Sequence, residues 1–241
     1  MSAQSMLEQL LKSGLSMLDG KLGGAAPVGA SQPDAGWGKF GAGAATGGAL
    51  GLLLGSKGGR RLGGKVLKYG SVAALGVMAF KAYGNWQAQQ AQHAKAAPMG
   101  PAAEITAPAP ALPPPRTVNL LPAPEVEQHS RGMLKAMIAA AKADGHLDER
   151  ERGLVEAELS RLEADPVMRR WFEEELRRPL DPAEVAQAAA TPELAAEMYL
   201  ASLLVTDETS FMERAYLNEL ARQLRLPEGL KLELERQALA V

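Results

Sequence analysis

The chain has no cysteine among its 241 residues, and aromatic side chains make up only 5% of it. The absence of cysteine excludes disulfides, thiolate chemistry and zinc sites with cysteine ligands. No pair of histidines has metal-ligand spacing, and neither a phosphate-binding glycine loop nor a nucleophile elbow is present. The net charge of −2 argues against a nucleic-acid-binding protein. The sequence therefore predicts a protein that is not an enzyme.

Composition divides the chain into five segments. Residues 1–22 carry apolar side chains at helical spacing, typical either of a docking helix or of a site for a specific partner. Residues 23–38 are a Gly/Pro linker, residues 39–86 are a Gly-rich apolar segment, and residues 87–124 are a Pro/Ala-rich linker. Residues 125–241 have the charged, amphipathic pattern of a compact helical domain.

The most distinctive run covers residues 40–56, reads FGAGAATGGALGLLLGS and holds no charge over 17 residues. That length is at the lower limit for crossing a hydrocarbon core of about 30 Å. Glycine recurs every four residues, so a helix would present a smooth stripe, a glycine zipper against which another helix can pack closely. The stripe consists of Gly43, Gly47, Gly51 and Gly55. The run predicts membrane association and packing with a second copy or another membrane helix; a buried Gly/Ala hairpin is the alternative.

A basic cluster follows the run and can contact anionic lipid headgroups. Its members are Arg60, Arg61, Lys65 and Lys68. The next apolar stretch, Tyr69–Phe80, has only 12 residues, so it spans the membrane, lies in the interface or folds back on the first helix. Because it is short, we expect one crossing, with the C-terminal domain in the cytoplasm. Two crossings would place that domain outside.

The C-terminal domain predicts an all-α bundle of seven helices, since no run alternates like a strand. Asp165-Pro166, Asp181-Pro182 and Thr191-Pro192 each place a cap residue before a proline at the first helical position. The predicted helices cover 126–143, 149–164, 166–178, 182–190, 192–206, 211–225 and 228–239. The predicted core residues are Met133, Leu134, Met137, Ile138, Leu154, Val155, Leu159, Leu162, Trp171, Phe172, Leu176, Met198, Leu200, Leu203, Leu204, Tyr216, Leu217, Leu220 and Leu224.

An internal repeat pairs AAAKADGHLDERERGLVEAELSRL with ASLLVTDETSFMERAYLNELARQL, each with an acidic loop between two helices. Capping boxes, formed by Asp148 with Glu151 and by Ser210 with Glu213, explain those residues without a ligand. They do not explain Asp144 and Asp207, which end the preceding helices, where the helix dipole disfavours negative charge. If the repeats pack about a pseudo-twofold axis, Asp144, Asp148, Asp207 and Glu213 can converge on a hard divalent cation of unknown identity. Turns and caps without a cation are the alternative.

At these residues the chain resembles a known family. AKADGHLDERE, followed by FMERAYLNELARQLRLP, is similar to the TerB-like domain of tellurite-resistance proteins, and the Gly-rich segment resembles the YebE-like inner-membrane proteins, a family of unknown function. The resemblance implies a TerB-like helical fold, a bacterial inner-membrane location and acidic residues that bind divalent cations. The matching positions are Asp144, Asp148, Glu151, Asp207 and Glu213. The second loop departs from the pattern, because it is shorter and reads Asp-Glu-Thr rather than Asp-Gly.

We therefore expect an all-α, membrane-anchored interaction module whose acidic loops bind or sense a divalent metal ion. Its expected partners are membrane lipid, another membrane helix and an unidentified protein, with no nucleic acid. The alternative is a purely structural membrane-associated scaffold whose loops act only as caps. A metal-dependent hydrolase that uses carboxylates alone is the weakest reading, since the resemblance supplies no reaction.

Overall fold

The computed structural model describes residues 2–9, 11, 72–96, 115–143, 165–206 and 210–240. Within these ranges the chain forms helices and turns and no strand, which confirms the all-α class. The helices are α1 (residues 3–9), α2 (Val72–Ala96), a 3₁₀ helix (Val118–Leu120), α3 (Ala123–Ala141), α4 (Pro166–Arg177), α5 (Pro182–Ala186), α6 (Pro192–Leu203), α7 (Phe211–Gln223) and α8 (Glu228–Ala240).

The caps predicted before α4, α5 and α6 are all present. The side chains of Asp165 and Asp181 each accept a backbone N–H bond of 2.8 Å from two residues further on, and Thr191 accepts one of 3.1 Å from three residues on. A fourth cap begins α7, where Ser210 Oγ accepts the N–H of Glu213 at 3.4 Å. Each such cap stabilises its helix by about 1 kcal/mol. Local sequence chemistry therefore sets where these helices begin.

Helix α6 is the centre of the core. Every residue from Leu194 to Leu203 is buried, and the helix contacts α2, α3, α7 and α8. The sequence of α6 is almost entirely apolar, as expected for a helix that is buried on all sides. Its most extensive contact is with α3, where Gly132 allows a close approach: a Cβ there would lie 3.2 Å from Leu194 Cδ1. Of the predicted core residues that the structure describes, all are buried except Trp171, which is half-buried.

Helix α2 packs into the same core, against α8, α6 and the 3₁₀ helix. Its buried side chains are Val72, Ala74, Leu75, Met78, Ala79, Ala82 and Tyr83. From Val72 onward, the stretch Tyr69–Phe80 therefore buries its apolar face against protein. The helix also continues to Ala96, past residue 86, where the sequence placed the start of the linker. The reason is local: residues 87–96 contain no proline or glycine, and their alanines and glutamines favour helix.

Helix α1 docks on this core as well. Ala3, Met6 and Leu7 are fully buried, and Leu11, which is also helical, is 4% exposed. Full burial of side chains such as Met6 and Leu7 contributes about 1.5–3 kcal/mol each. The docking helix predicted within residues 1–22 is therefore present over the part that the structure describes.

Across the described ranges, no helix combines the length and apolarity needed to cross a bilayer. The glycine stripe of Gly43, Gly47, Gly51 and Gly55 lies outside those ranges, and so does the basic cluster of Arg60, Arg61, Lys65 and Lys68. The predicted helix 149–164 also falls outside them.

Candidate functional site

Three glutamates of the C-terminal helices each bind a segment that precedes those helices in the chain. Glu127 of α3 binds α1, Glu197 of α6 binds the 3₁₀ helix, and Glu233 of α8 binds α2. We call them the anchoring glutamates. They form the most distinctive polar feature within the described part of the chain.

Glu197 is fully buried in the middle of α6. One of its carboxylate oxygens accepts the backbone N–H of Val118 at 2.5 Å, and the other lies 2.5 Å from Nδ1 of His129 on α3. His129 is only 5% exposed. A buried carboxylate is stable only when its oxygens have partners, and removal of one partner from such a pair costs about 3–5 kcal/mol. Glu197 therefore ties three elements together at the centre of the fold.

The 3₁₀ helix reaches Glu197 because α2 carries a glycine where the two elements meet. A Cβ on Gly76 would lie 2.5 Å from Asn119 Oδ1 and 2.9 Å from Asn119 N. Asn119 Oδ1 also accepts a 2.7 Å hydrogen bond from the hydroxyl of Thr117, which is fully buried. Only glycine fits at this position of α2, so close contact between α2 and the 3₁₀ helix supports the bond from Val118 to Glu197.

Tyr83 of α2 lies beside the same polar centre. Burial, together with the negative charges of Glu193 and Glu197, raises the pKa of Tyr83 well above its usual value. Its phenol therefore stays neutral at physiological pH and can pack in the core without a charge. The ring also makes an edge-to-face contact with Trp86, at a centroid distance of 5.9 Å.

Glu233 of α8 is 1% exposed and holds the middle of α2. Its Oε1 accepts hydrogen bonds from Asn85 Nδ2 at 2.6 Å and from Gln237 Nε2 at 2.9 Å. Arg236 forms an ion pair with the same carboxylate. Trp86 packs beside this contact: a Cβ on Gly229 of α8 would lie 3.1 Å from its ring. The carboxylate of Glu233 therefore fixes the position of α2 along α8.

Glu127 of α3 caps the start of α1. Its two carboxylate oxygens accept the backbone N–H groups of Ala3 at 2.6 Å and Gln4 at 3.2 Å. The first N–H groups of a helix have no partner within the helix, and the helix dipole there favours a negative charge. Glu127 therefore adds a cap from another helix to the local one, in which Ser2 Oγ accepts the N–H of Ser5 at 3.2 Å.

The anchoring glutamates attach one segment of the chain to another. Glu197 and Glu233 are closed to solvent, so no solute reaches their carboxylates in this arrangement. No cluster of three or more acidic or histidine side chains suited to a metal ion occurs within the described ranges. These contacts thus hold α1, α2 and the 3₁₀ helix on the C-terminal helices.

A hollow between α3, α4 and α5 is a second polar region, and its charges are paired. Glu184 forms ion pairs with Arg178 and with Lys135, the latter at 3.5 Å. The hydrogen bond from Arg178, followed by the charge of Lys135, lowers the pKa of Glu184. Lys142 donates to the backbone oxygen of Glu175 at 3.1 Å, near the end of α4. This network closes the C-terminus of α4, where positive charge is favoured.

The candidate cation ligands fall mostly outside the described residues. Asp144, Asp148, Glu151 and Asp207 lie there, and Glu213 alone can be placed. Glu213 is buried in the first turn of α7, where Ser210 caps the helix as predicted. The metal hypothesis therefore stays a prediction.

The anchoring glutamates are not among the site residues predicted from the sequence. Glu197 stands in PELAAEMYLASL, an almost entirely apolar helix that has no polar face to carry a charge. A carboxylate in such a run is buried and needs a partner. The sequence therefore indicates a buried charge at Glu197, but it does not indicate which groups bind that charge.

A profile of the family described as "Protein of unknown function (DUF533)" matches residues 39–238 of the chain. The chain is also 30% identical over 106 residues to a Yersinia enterocolitica protein described as "Uncharacterized protein in ampR 5'region". That match covers 44% of this chain and 76% of the relative. No solved structure matches the chain.

Proposed function

The chain belongs to the DUF533 family of proteins of unknown function, and from that premise we propose that it is a membrane-associated helical interaction module whose core holds the helices on both sides of its glycine run. The observation that carries the proposal is the set of anchoring glutamates, which fix α1 to α3 and α2 to α8, two helices of one core. The glycine run and the basic cluster lie in the chain between α1 and α2.

Two fixed ends constrain how this segment meets a bilayer. Because α1 and α2 belong to one core, a membrane segment between them would enter and leave the bilayer on the same side. We therefore propose an even number of crossings in place of the single crossing expected from the sequence.

The supply of apolar residues favours zero crossings over two. The uncharged run 40–56 has 17 residues, enough for one crossing at most. The second apolar stretch, from Val72 onward, is buried against α6 and α8 and supplies no second span. We therefore propose that the run inserts into one leaflet or lies in the interface, as monotopic membrane segments do.

Location follows from the same arrangement. We propose that the basic cluster, which lies in the chain between the run and α2, faces the leaflet on the side of the core. Its members are Arg60, Arg61, Lys65 and Lys68. Basic residues favour the cytoplasmic side of the inner membrane. We propose that the core lies in the cytoplasm against the inner membrane. The resemblance to the YebE-like inner-membrane proteins motivates this location. The resemblance to TerB-like domains motivates the proposal that the helical core is an interaction module.

The proposal leaves the partner and the cation open to test. Pairing of copies through Gly43, Gly47, Gly51 and Gly55 stays a prediction, as does a divalent cation at the acidic loops. A purely structural scaffold shares the membrane contact but lacks a cation response. A melting experiment described below separates the two.

Site-directed labelling in cells tests the topology, and the absence of cysteine makes each introduced cysteine unique. Glu8→Cys on α1 and Asn218→Cys on α7 both replace exposed residues. In intact bacteria, we expect the full chain to pellet with membranes and both positions to resist a membrane-impermeant maleimide. Both should react after lysis. Reaction at one position alone would show an odd number of crossings, and a chain found only in the soluble fraction would overturn the membrane proposal.

A further inference from the structure

One face of α2 is apolar and exposed between Ala73 and Ala91. Val77 is 48% exposed and Phe80 is 38% exposed, although the opposite face of α2 is buried. The exposed residues at this helical spacing are Ala73, Val77, Phe80, Gly84, Ala88 and Ala91. They extend over about 27 Å at the rise of an α-helix and include no polar side chain. We call them the outer face of α2.

The part of the sequence that carries this face has charge of one sign. Residues 35–103 contain eight lysines and arginines and no aspartate or glutamate, although the whole chain has a net charge of −2. Within this stretch, Lys81 is exposed next to Phe80 at the edge of the outer face. The basic cluster ends at Lys68, four residues before α2 begins at Val72. The outer face therefore lies within the positive part of an otherwise acidic chain.

We propose that the outer face of α2, at Ala73, Val77 and Phe80 with Lys81 beside them, is the surface by which the helical core lies on an anionic lipid bilayer. This inference rests on the proposed membrane association and assigns the contact to a particular face. An apolar helix face with a basic edge binds in the interface, because its apolar side chains enter the acyl boundary and its lysines approach anionic headgroups. Chain continuity supports it, since only residues 57–71, which include the basic cluster, separate the run proposed to insert from α2.

A second copy of the chain fits this face less well. A stable dimer buries about 800 Å² on each partner, and the half of the outer face beyond Phe80 offers only glycine and alanine. In a twofold dimer built on Phe80, the two copies of Lys81 would also approach each other. A negatively charged lipid surface has neither disadvantage.

Fluorescence from a single labelled cysteine in the full chain tests the assignment. Val77→Cys places an environment-sensitive dye on the outer face, and Val167→Cys places it on α4, where the valine is 68% exposed. Vesicles that contain phosphatidylglycerol are compared with vesicles of phosphatidylcholine alone. We expect the emission at position 77 to move to shorter wavelength and gain intensity with the anionic vesicles. Position 167 should keep its spectrum in both.

Charge removal gives a second readout. Lys81→Gln should lower the partition coefficient onto anionic vesicles about fivefold, which corresponds to the ~1 kcal/mol that one lysine contributes near such a surface. Arg170→Gln, which removes an exposed positive charge from α4, should leave partitioning unchanged.

The outcomes separate this inference from the proposed function. If the chain binds vesicles and position 77 does not respond, the outer face is not the contact, and the membrane proposal stands. If the chain binds no vesicles, both are wrong. If the signal at position 77 depends on protein concentration without lipid, a second copy occupies the face and the lipid assignment is overturned.

Discussion

Removal of the Glu197 carboxylate tests whether the central polar contact holds the fold together. In Glu197→Ala, His129 and the N–H of Val118 both lose an acceptor at 2.5 Å, in a place that water does not reach. Breaking a buried pair of this kind costs about 3–5 kcal/mol. A domain with a free energy of unfolding of about 5–15 kcal/mol would lose a large part of its stability.

The matched variants separate charge from shape. Glu197→Gln keeps the volume and one acceptor oxygen, so we expect a smaller loss, about 1–3 kcal/mol for one compromised buried bond. Glu174→Ala, at an exposed position of α4, should change the free energy of unfolding by about 0.5 kcal/mol or less. A double-mutant cycle of Glu197→Ala with His129→Ala should give a coupling energy of about 0.5–3 kcal/mol.

Urea unfolding of the full chain, followed by circular dichroism and tryptophan fluorescence, measures these differences. With a slope of about 1–3 kcal/mol per molar urea, the loss in Glu197→Ala should move the midpoint by about 1 M or more. If Glu197→Ala unfolds at the same urea concentration as Glu174→Ala, the carboxylate does not hold these elements, and the reasoning from its contacts is wrong.

Three other predictions follow from particular positions. Gly76→Ala should destabilise the chain by about 1–3 kcal/mol in the same urea assay, because its Cβ would lie 2.9 Å from Asn119 N. Gly84→Ala is the control: a Cβ there has no atom within 4 Å, so the substitution should stabilise α2 by up to about 1 kcal/mol. Hydrogen bonds from Arg222 and then Gln223 lower the pKa of Glu219 to about 2. The ionised carboxylate therefore stabilises the fold above the pKa of the unfolded chain, and this stabilisation is lost as the pH falls towards 2. In an NMR titration, Glu219 of the wild type should stay ionised at pH values at which Glu219 of the Arg222→Gln variant is protonated. If the acidic loops bind a divalent cation, adding Ca²⁺, Mg²⁺, Mn²⁺ or Zn²⁺ after chelation should stabilise the wild type by about 2.7 kcal/mol at 100 times the dissociation constant. The Asp144→Asn variant should show a smaller shift in melting temperature. If no cation shifts the melting temperature of the wild type, the loops contain only caps and turns.

The sequence determined the local structure of the C-terminal helices. The starts of α4, α5 and α6 follow from a cap residue before a proline, and each cap reaches only two or three residues along the chain. The spacing of apolar residues likewise predicted helices over 126–143 and 192–206, where the structure has α3 and α6. These features depend on neighbours in sequence, so a single chain is enough to read them.

The environment of α2 was decided by tertiary structure. The sequence shows that residues 72–83 have an apolar face, but lipid and protein both bury such a face. The stretch was therefore open to a membrane, interfacial or folded-back reading. The structure places that face against α6 and α8, and only the outer face around Val77 is left exposed.

The anchoring glutamates show most clearly which features the sequence determines and which ones tertiary structure decides. A carboxylate within the apolar run of α6 signals a buried charge, but the sequence does not name what binds it. The contacts join residues far apart in the chain: Glu197 and Val118 are separated by 79 positions, Glu127 and Ala3 by 124, and Glu233 and Asn85 by 148. No local propensity encodes pairs at such distances, because they form only once α2, α3, α6 and α8 have packed. The sequence by itself determined the helices and their apolar faces, and tertiary packing decided which segments the three carboxylates hold.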